Sequence, residues 1–334
     1  TVLEYDNSQG TWASMQPRDA DTHVIAYADN YNDGRIKTFN VAADGTTVTN
    51  VNTWEHDSGN GTYNSLARRS DDVYALAYRA NSNRGNIRTF KVAANGTISS
   101  LNVLQFDTQT SENSLIQLKG DLFLLAYPGS SDDGMIKSFN IGTNGSISGL
   151  KTLEHNTSNG WSPALHKMTD STAVLIYSDH SNTTHEIKTF HVASDGTITE
   201  KKKVKISDNK AYWNSIAQVD SDTYLIAAEA KDNDGYMYTY DISPDGTTIT
   251  KVAELEFDEY QTRFNELYSL GSNSFLLAHA GADQATGTYG GTYTKIFTVP
   301  ADGSKIKQIY NTKISDHSNS QIALSKLDAD TYLM

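Results

Sequence analysis

Residues 72–107, DVYALAYRANSNRGNIRTFKVAANGTISSLNVLQFD, divide themselves into three strands and two turns. The segments VYALAY, NIRTFKV and ISSLNVLQF are rich in β-branched and aromatic residues, the composition of half-buried pleated backbone. The breaks between them carry Asn and Gly, which supply tight turns. A fourth strand, ENSLIQL (112–118), follows a short connection. The same sentence recurs along the chain. Tyr27, Tyr78, Tyr127, Tyr177, Ala228 and His279 close its second strand, at spacings of 51, 49, 50, 51 and 51 residues. A period of this length encoding four strands predicts propeller blades.

The copies agree where structure demands it. The second strands read HVIAY, YALAY, FLLAY, AVLIY, YLIAA and FLLAH, continuous apolar runs expected to be covered on both faces. The third strands read RIKTFNV, NIRTFKV, MIKSFNI, EIKTFHV, YMYTYDI and YTKIFTV. Gly34, Gly85, Gly134, Gly235 and Gly291 precede or open them, with Thr184-His185 in the fourth copy, and are read as hairpin glycines at positive φ. The next turn is Asp or Asn followed by Gly: Asp44-Gly45, Asn95-Gly96, Asn144-Gly145, Asp195-Gly196, Asp245-Gly246 and Asp302-Gly303. That pair between strands is a hairpin signal, so NGT and NGS here are read as turns, not glycan acceptors.

Outer strands LEYD, WEHD, LQFD, LEHN, KISD, LEFD and KISD number seven, the first lying at the N-terminus. The expected fold is one all-β domain over 1–334: a seven-bladed β-propeller of four-stranded antiparallel blades. The blades fall at 12–57, 63–107, 112–156, 161–208, 213–258, 264–316, and 321–334 joined by 1–6. The last is shared between N- and C-terminal strands, which closes the ring and removes sheet edges. Its third strand is missing, its anchor falling at about position 336 by the repeat period, so the sequence is read as incomplete.

Composition narrows the partners. With 27 Lys and Arg against 40 Asp and Glu, the net charge of −13 argues against nucleic acid or an anionic membrane surface. There is no Cys, hence no disulfide framework. No apolar run reaches spanning length, so membrane insertion is not expected. A chain beginning at Thr1 is read as mature, processed or excised; an extracellular or cell-surface location is a separate expectation.

The DGxIKTF and DGT repeats resemble uncharacterised propeller repeats of secreted or surface proteins from marine bacteria and archaea. The resemblance covers the whole chain and is carried by structural motifs, so it transfers no catalytic residue. The recurring Gly-His and Trp-Asp pairs of WD40 blades are absent, as is the sialidase Asp-box. Asp232-Asn233-Asp234-Gly235 approaches an integrin-type calcium loop but is too short; no cofactor is expected, and calcium is left open.

Two rings of residues are candidates for chemistry. Asp6, Asp57, Asp107, Asn156, Asp208, Asp258 and Asp316 end the outer strands; the Asn among them points to turn capping rather than cation binding. Trp12, Tyr63, Trp161, Trp213 and Phe264 precede the inner strands, with Glu112 and Gln321 in the other copies. Asn64, Asn113, Asn214 and Asn265 accompany them. Aromatic faces beside amides suit sugar recognition, as in propeller lectins, against the alternative that they wedge between blades. His56 and His155 alternate with Tyr5, Phe106 and Phe257, a packing pattern, and no catalytic constellation stands out. Arg18, Arg68, Arg69, Lys167 and Lys326 are candidate channel charges for an anionic metabolite. The sixth copy carries a longer hairpin, ADQATGTYGGTYT (282–294). The leading expectation is a non-enzymatic extracellular module binding glycan. The alternatives are a protein-binding scaffold of a surface protein and a polysaccharide-degrading enzyme working at the channel mouth.

Overall fold

The computed structural model describes residues 3–7, 9–282, 289–316, 321–327 and 331–334. Part of the long sixth hairpin, 283–288, lies outside the described residues. The chain is nearly all-β, with 65% of residues in strands and 3% in helix. It divides into two compact units: Thr1–Glu154 with Ser194–Thr197 and Ala323–Met334, and His155–Ala193 with Ile198–Ile322.

The first unit carries three antiparallel four-stranded sheets. These are β1 (Thr11–Pro17), β2 (Thr22–Ala28), β3 (Gly34–Val41) and β4 (Val48–Asp57); β5 (Thr62–Arg68), β6 (Val73–Arg79), β7 (Gly85–Val92) and β8 (Ile98–Asp107); and β9 (Ser114–Lys119), β10 (Leu122–Pro128), β11 (Gly134–Ile141) and β12 (Ile147–Asn156). The second unit holds β13 (Trp161–Lys167), β14 (Thr172–Asp179), β15 (Thr184–Val192) and β16 (Ile198–Ser207). It continues with β17 (Tyr212–Gln218), β18 (Thr223–Glu229), β19 (Asp234–Ile242), β20 (Ile249–Gly271), β21 (Ser274–Ala282), β22 (Tyr289–Thr298) and β23 (Lys307–Ser315). The last seven form one sheet, because β20 runs unbroken for 23 residues from the outer strand of the fifth repeat into the inner strand of the sixth. Near the C-terminus β24 (Ser325–Lys326) pairs with β25 (Tyr332–Leu333).

The second strands form the core. Tyr27, Tyr78, Tyr127 and Tyr177 are all buried, with Val24, Leu76, Leu125 and Ile176 beside them. The regular motifs of the repeat are latches between consecutive copies. The Thr of the third strand donates its hydroxyl to the carbonyl of the next copy's turn glycine. In the first unit these bonds are Thr38 to Gly96 (2.7 Å), Thr89 to Gly145 (2.6 Å) and Ser138 to Gly196 (2.7 Å). In the second they are Thr189 to Gly246 (2.6 Å) and Thr239 to Gly303 (2.8 Å). The turn is shaped to present that carbonyl. Asn95 Oδ1 accepts the Thr97 amide at 3.1 Å, and Gly96 adopts φ 79°. All six glycines of this turn have positive φ, the conformation that favours glycine.

The glycines before the third strand have a different reason from the expected one. Gly34, Gly85 and Gly235 do not have positive φ; Asn32, Asn83 and Asn233 take that conformation instead. A Cβ on Gly34 would fall 2.3 Å from the His56 ring, one on Gly85 2.4 Å from Phe106 and one on Gly235 2.5 Å from Phe257. Glycine is thus required for close approach to the outer strand's aromatic. The fourth copy supports this: His185 holds the glycine's place opposite Ser207, and the facing outer-strand residue is Ile206, not an aromatic.

Candidate functional site

The carboxylates at the outer-strand ends hold two structural bonds each. Asp57 Oδ1 accepts the Gly59 amide (3.1 Å) while Oδ2 accepts the Tyr78 hydroxyl (3.1 Å). Asp107 Oδ2 likewise accepts from Tyr127 at 2.7 Å, and Asn156 donates to the Tyr177 oxygen at 3.2 Å. These side chains cap the turn and anchor the second strand of the following copy. Two residues assigned to this ring stand out of register. Ser207 pairs with His185, and Ser315 with Thr292, leaving Asp208 and Asp316 one residue beyond. Lys205 and Lys313 pair with them at the surface. Ala228 replaces the anchor tyrosine after Ser207, so the acid and its hydroxyl partner disappear together.

The aromatic ring is built on a repeated bulge. Trp12, Tyr63, Trp213 and Phe264 have φ of 55°, 54°, 54° and 55° where the inner strand shifts register. In the fourth copy the equivalent is Ser162, at φ 51°, so Trp161 stands one position earlier. Left-handed backbone at bulky residues costs on the order of 1–3 kcal/mol each, so packing must hold it. It does: Trp12 lies 3.8 Å from Tyr63, and Trp213 4.2 Å from Phe264, ring centroid to centroid. Trp161 stacks on His180 at 5.7 Å. The accompanying amides join neighbouring inner strands. Asn113 donates to the Tyr63 carbonyl (3.0 Å) and Asn214 to that of Ser162 (2.8 Å), while Asn64 bonds Gly61 O (2.7 Å). Asn265 is buried with no side-chain partner among the described residues. The structure brings these residues together as pairs within each unit.

The candidate channel charges are engaged locally. Arg18 donates to Val92 O (3.3 Å), Arg69 to Ile141 O (2.6 Å), Arg68 to Ser70 O (3.0 Å), and Lys167 pairs with Asp170 (2.9 Å). Lys326 lies over the Tyr332 ring at 5.8 Å. His56 and His155 are buried edge-on against Tyr78 and Tyr177, each at 4.8 Å, and desolvation lowers both to about 3. Among the described residues no three His, Asp or Glu side chains are grouped to hold a metal ion.

One place where the repeat carries ionisable groups is the seam between β18 and β20. Glu229 ends β18, paired with Tyr212 and Gly235, and is 3% exposed. Its equivalents are Ala28, Arg79 and Ala280. Arg263 holds the place of Thr11, Thr62, Trp161 and Tyr212. Its Nε lies 4.0 Å from Glu229 Oε2, and its side chain is 43% exposed. The unbroken β20 makes this possible, since the Asp234–Gln261 pair carries strand geometry across the connection. Gln261 sits between the two charges. With its amide oriented to suit its neighbours, its oxygen accepts from Arg263 Nε (3.2 Å) and Nη2 (2.7 Å). Its side chain and that of Trp213 also bond the Glu229 carboxyl. Burial pushes that carboxyl up to about 7, against the opposing pull of Arg263. The seam therefore joins a carboxyl titrating near neutrality, a half-exposed guanidinium and the Trp213–Phe264 wall. Three residues along β20, Glu266 replaces the serine whose hydroxyl elsewhere accepts the next inner strand's amide, as Ser215 does from Leu267 (2.9 Å). Desolvation raises it too, to about 7. Sequence reading passed over Glu229, Gln261, Arg263 and Glu266; their available signal was departure from the repeat at one seam.

No family model matches the chain, and no curated protein matches its sequence. Solved structures do resemble it. A candidate 6-phosphogluconolactonase from Bacteroides fragilis has TM-score 0.65 and 15% identity, over 91% of this chain and 85% of that one. A second candidate 6-phosphogluconolactonase, from Bacteroides uniformis, has TM-score 0.68 and 11% identity, over 91% and 86%. A protein from Lactobacillus plantarum has TM-score 0.67 and 14% identity, over 94% and 86%. At these identities the likeness establishes an all-β, propeller-type fold and leaves activity to be argued from the site. It also corrects the functional expectation. Two of these structural relatives are named as candidate enzymes and nothing found supports a lectin, so the expected non-enzymatic extracellular lectin gives way.

Proposed function

We propose that this protein is a hydrolase of a small anionic ester, most simply the lactone of a phosphorylated sugar acid. The observation that carries the reading is the Glu229–Gln261–Arg263 arrangement beside Trp213 and Phe264. Two structural relatives named as candidate 6-phosphogluconolactonases support the choice of lactone. Ester hydrolysis needs a base to activate water, a positive group for the oxyanion, and an acid for the leaving oxygen. Glu229, near its midpoint at neutral pH, serves as base and then as acid. As carboxylate it takes a proton from water while the oxygen attacks the lactone carbonyl. Arg263 faces the oxyanion. The tetrahedral intermediate collapses with cleavage of the ring C–O bond, and protonated Glu229 returns its proton to the departing alkoxide. The product is the open hydroxy acid, and the carboxylate is restored. Gln261 holds the guanidinium at the carboxyl so that the two charges stay in register.

The test is hydrolysis of 6-phosphogluconolactone, followed by NMR against the spontaneous rate. Wild type accelerates it; Glu229→Gln lowers kcat by about 10²–10⁴-fold, the usual worth of a general acid–base group. Absence of acceleration by wild type overturns the reading.

A further inference from the structure

Resting on the ester-hydrolase reading above, we propose that Lys210, set beside the rings of Trp161, His180 and Tyr212, binds the phosphate of the substrate and so selects phosphorylated lactones over neutral ones. The fourth, fifth and sixth copies align on their bulged residues, Ser162, Trp213 and Phe264. On that alignment Lys210 and Tyr212 hold the places of Gln261 and Arg263. The positions that serve the Glu229 seam in one copy thus supply an ammonium and a phenol in the copy before it. The two sets meet at one pair, because Tyr212 is the cross-strand partner of Glu229. Lys210 stands two residues before Tyr212, at most about 7 Å away along the chain. The Tyr212 ring meets that of His180 edge-on at 4.6 Å, and His180 stacks on Trp161 at 5.7 Å. Burial, joined by the charge of Lys210, holds His180 down at about 4, so that ring is neutral at pH 7.

The Lys210 charge has no counter-ion. Among the described residues of the second unit, Lys201, Lys202, Lys210, Lys305 and Lys307 form no ion pair. The other four are exposed; Lys210 is half-buried. Asp179, which acts on His180 with the opposite sign, is 1% exposed and already accepts from Asn156, Ser158 and Asn182. A partly desolvated ammonium attracts an incoming anion more strongly than one in open water. Its three N–H groups turn to meet whichever phosphoryl oxygens the substrate presents, without the fixed fork of arginine. The contact lies away from the reacting carbonyl, so it strengthens binding of ground state and transition state alike. Lys210 is in this sense a specificity-determining residue, and its signature is in KM.

The test compares 6-phosphogluconolactone with glucono-1,5-lactone. Lys210→Asn places there the residue that Asn60 and Asn159 supply in other copies, so the fold is kept. We expect wild type to show a KM about tenfold or more lower for the phosphorylated lactone, and Lys210→Asn to remove that advantage with kcat little changed. Lys210→Arg should restore part of it. Calorimetric titration of the products gives a readout without turnover: Lys210→Asn should weaken binding of 6-phosphogluconate and leave gluconate unaltered. Equal KM values for the two lactones in wild type, or an equal rise in both on Lys210→Asn, overturn the proposal and leave the hydrolase reading standing. Hydrolysis of neither lactone overturns that reading, and 6-phosphogluconate bound no more tightly than gluconate overturns this one.

Discussion

Lowering the pH from 7 to 5 destabilises this protein through its buried histidines, and His56→Phe removes one identifiable share of that loss. His23, His56, His155, His185 and His279 are each at most 8% exposed. Desolvation lowers them to about 4 for His23 and about 3 for the rest, from 6.5. The folded protein therefore holds neutral imidazole that the unfolded chain protonates. Their stability contribution is complete above 6.5 and is lost as pH falls toward the folded value. Linkage gives a loss of about 2 kcal/mol per histidine between pH 7 and 5, about 9–10 kcal/mol for five. Glu229 and Glu266 act in the opposite sense, since a carboxyl raised from 4.5 to about 7 costs stability as pH rises above 4.5. On acidification each returns about 2 kcal/mol, leaving a loss of about 5 kcal/mol from these seven groups taken together. Phe106 and Phe257 already occupy the His56 position in other copies, with glycine opposite in each, so His56→Phe fits. Urea unfolding at both pH values is the assay. The variant is expected to match wild type within about 1 kcal/mol at pH 7 and to retain about 2 kcal/mol more at pH 5. An identical pH dependence in the two proteins refutes the reasoning.

At the seam, kcat/KM for lactone hydrolysis should rise with pH through an apparent pKa near that of Glu229, about 7, because the base form is active; a flat profile from pH 6 to 8 contradicts the assignment. Arg263→Ala should lower kcat through the oxyanion by about 10²-fold or more, and Arg263→Lys should recover only part of it, since lysine lacks the planar fork. Thr89→Val removes the bond to Gly145 and the acceptor of the Asn102 amide, for a cost of about 1–3 kcal/mol in urea unfolding. Gly96→Ala strains φ 79° and drives a methyl to 2.6 Å from Val51, so it should cost at least about 1–2 kcal/mol, whereas Gly120→Ala, with open space, bears only the backbone strain.

The repeat period made the sheets legible because each regular residue has one repeated job. Thr89 latches a turn, Asn95 shapes one, Tyr127 anchors to Asp107, and none varies freely. Register was less legible. Trp161 and Asp208 each stand one residue from the position that pattern matching gave them, because the strands are bulged and a one-residue slip leaves composition unchanged. The hairpin glycines were located correctly for the wrong reason: a demand for space and a demand for positive φ select the same residue. The site was the least legible feature. Its residues share no motif, and recurrence draws attention to Trp12, Tyr63, Trp213 and Phe264, whose recurrence is explained by a bulge and by ring-on-ring packing. In a repeat protein the shared positions are those that every copy needs to fold. Glu229 and Arg263 stand at positions that change from copy to copy, 34 residues apart in the chain, and the 23-residue course of β20 puts one beside the other. On the proposed reading chemistry is carried by residues the copies do not share, and such a residue becomes a site only when the fold places a second one within reach of it.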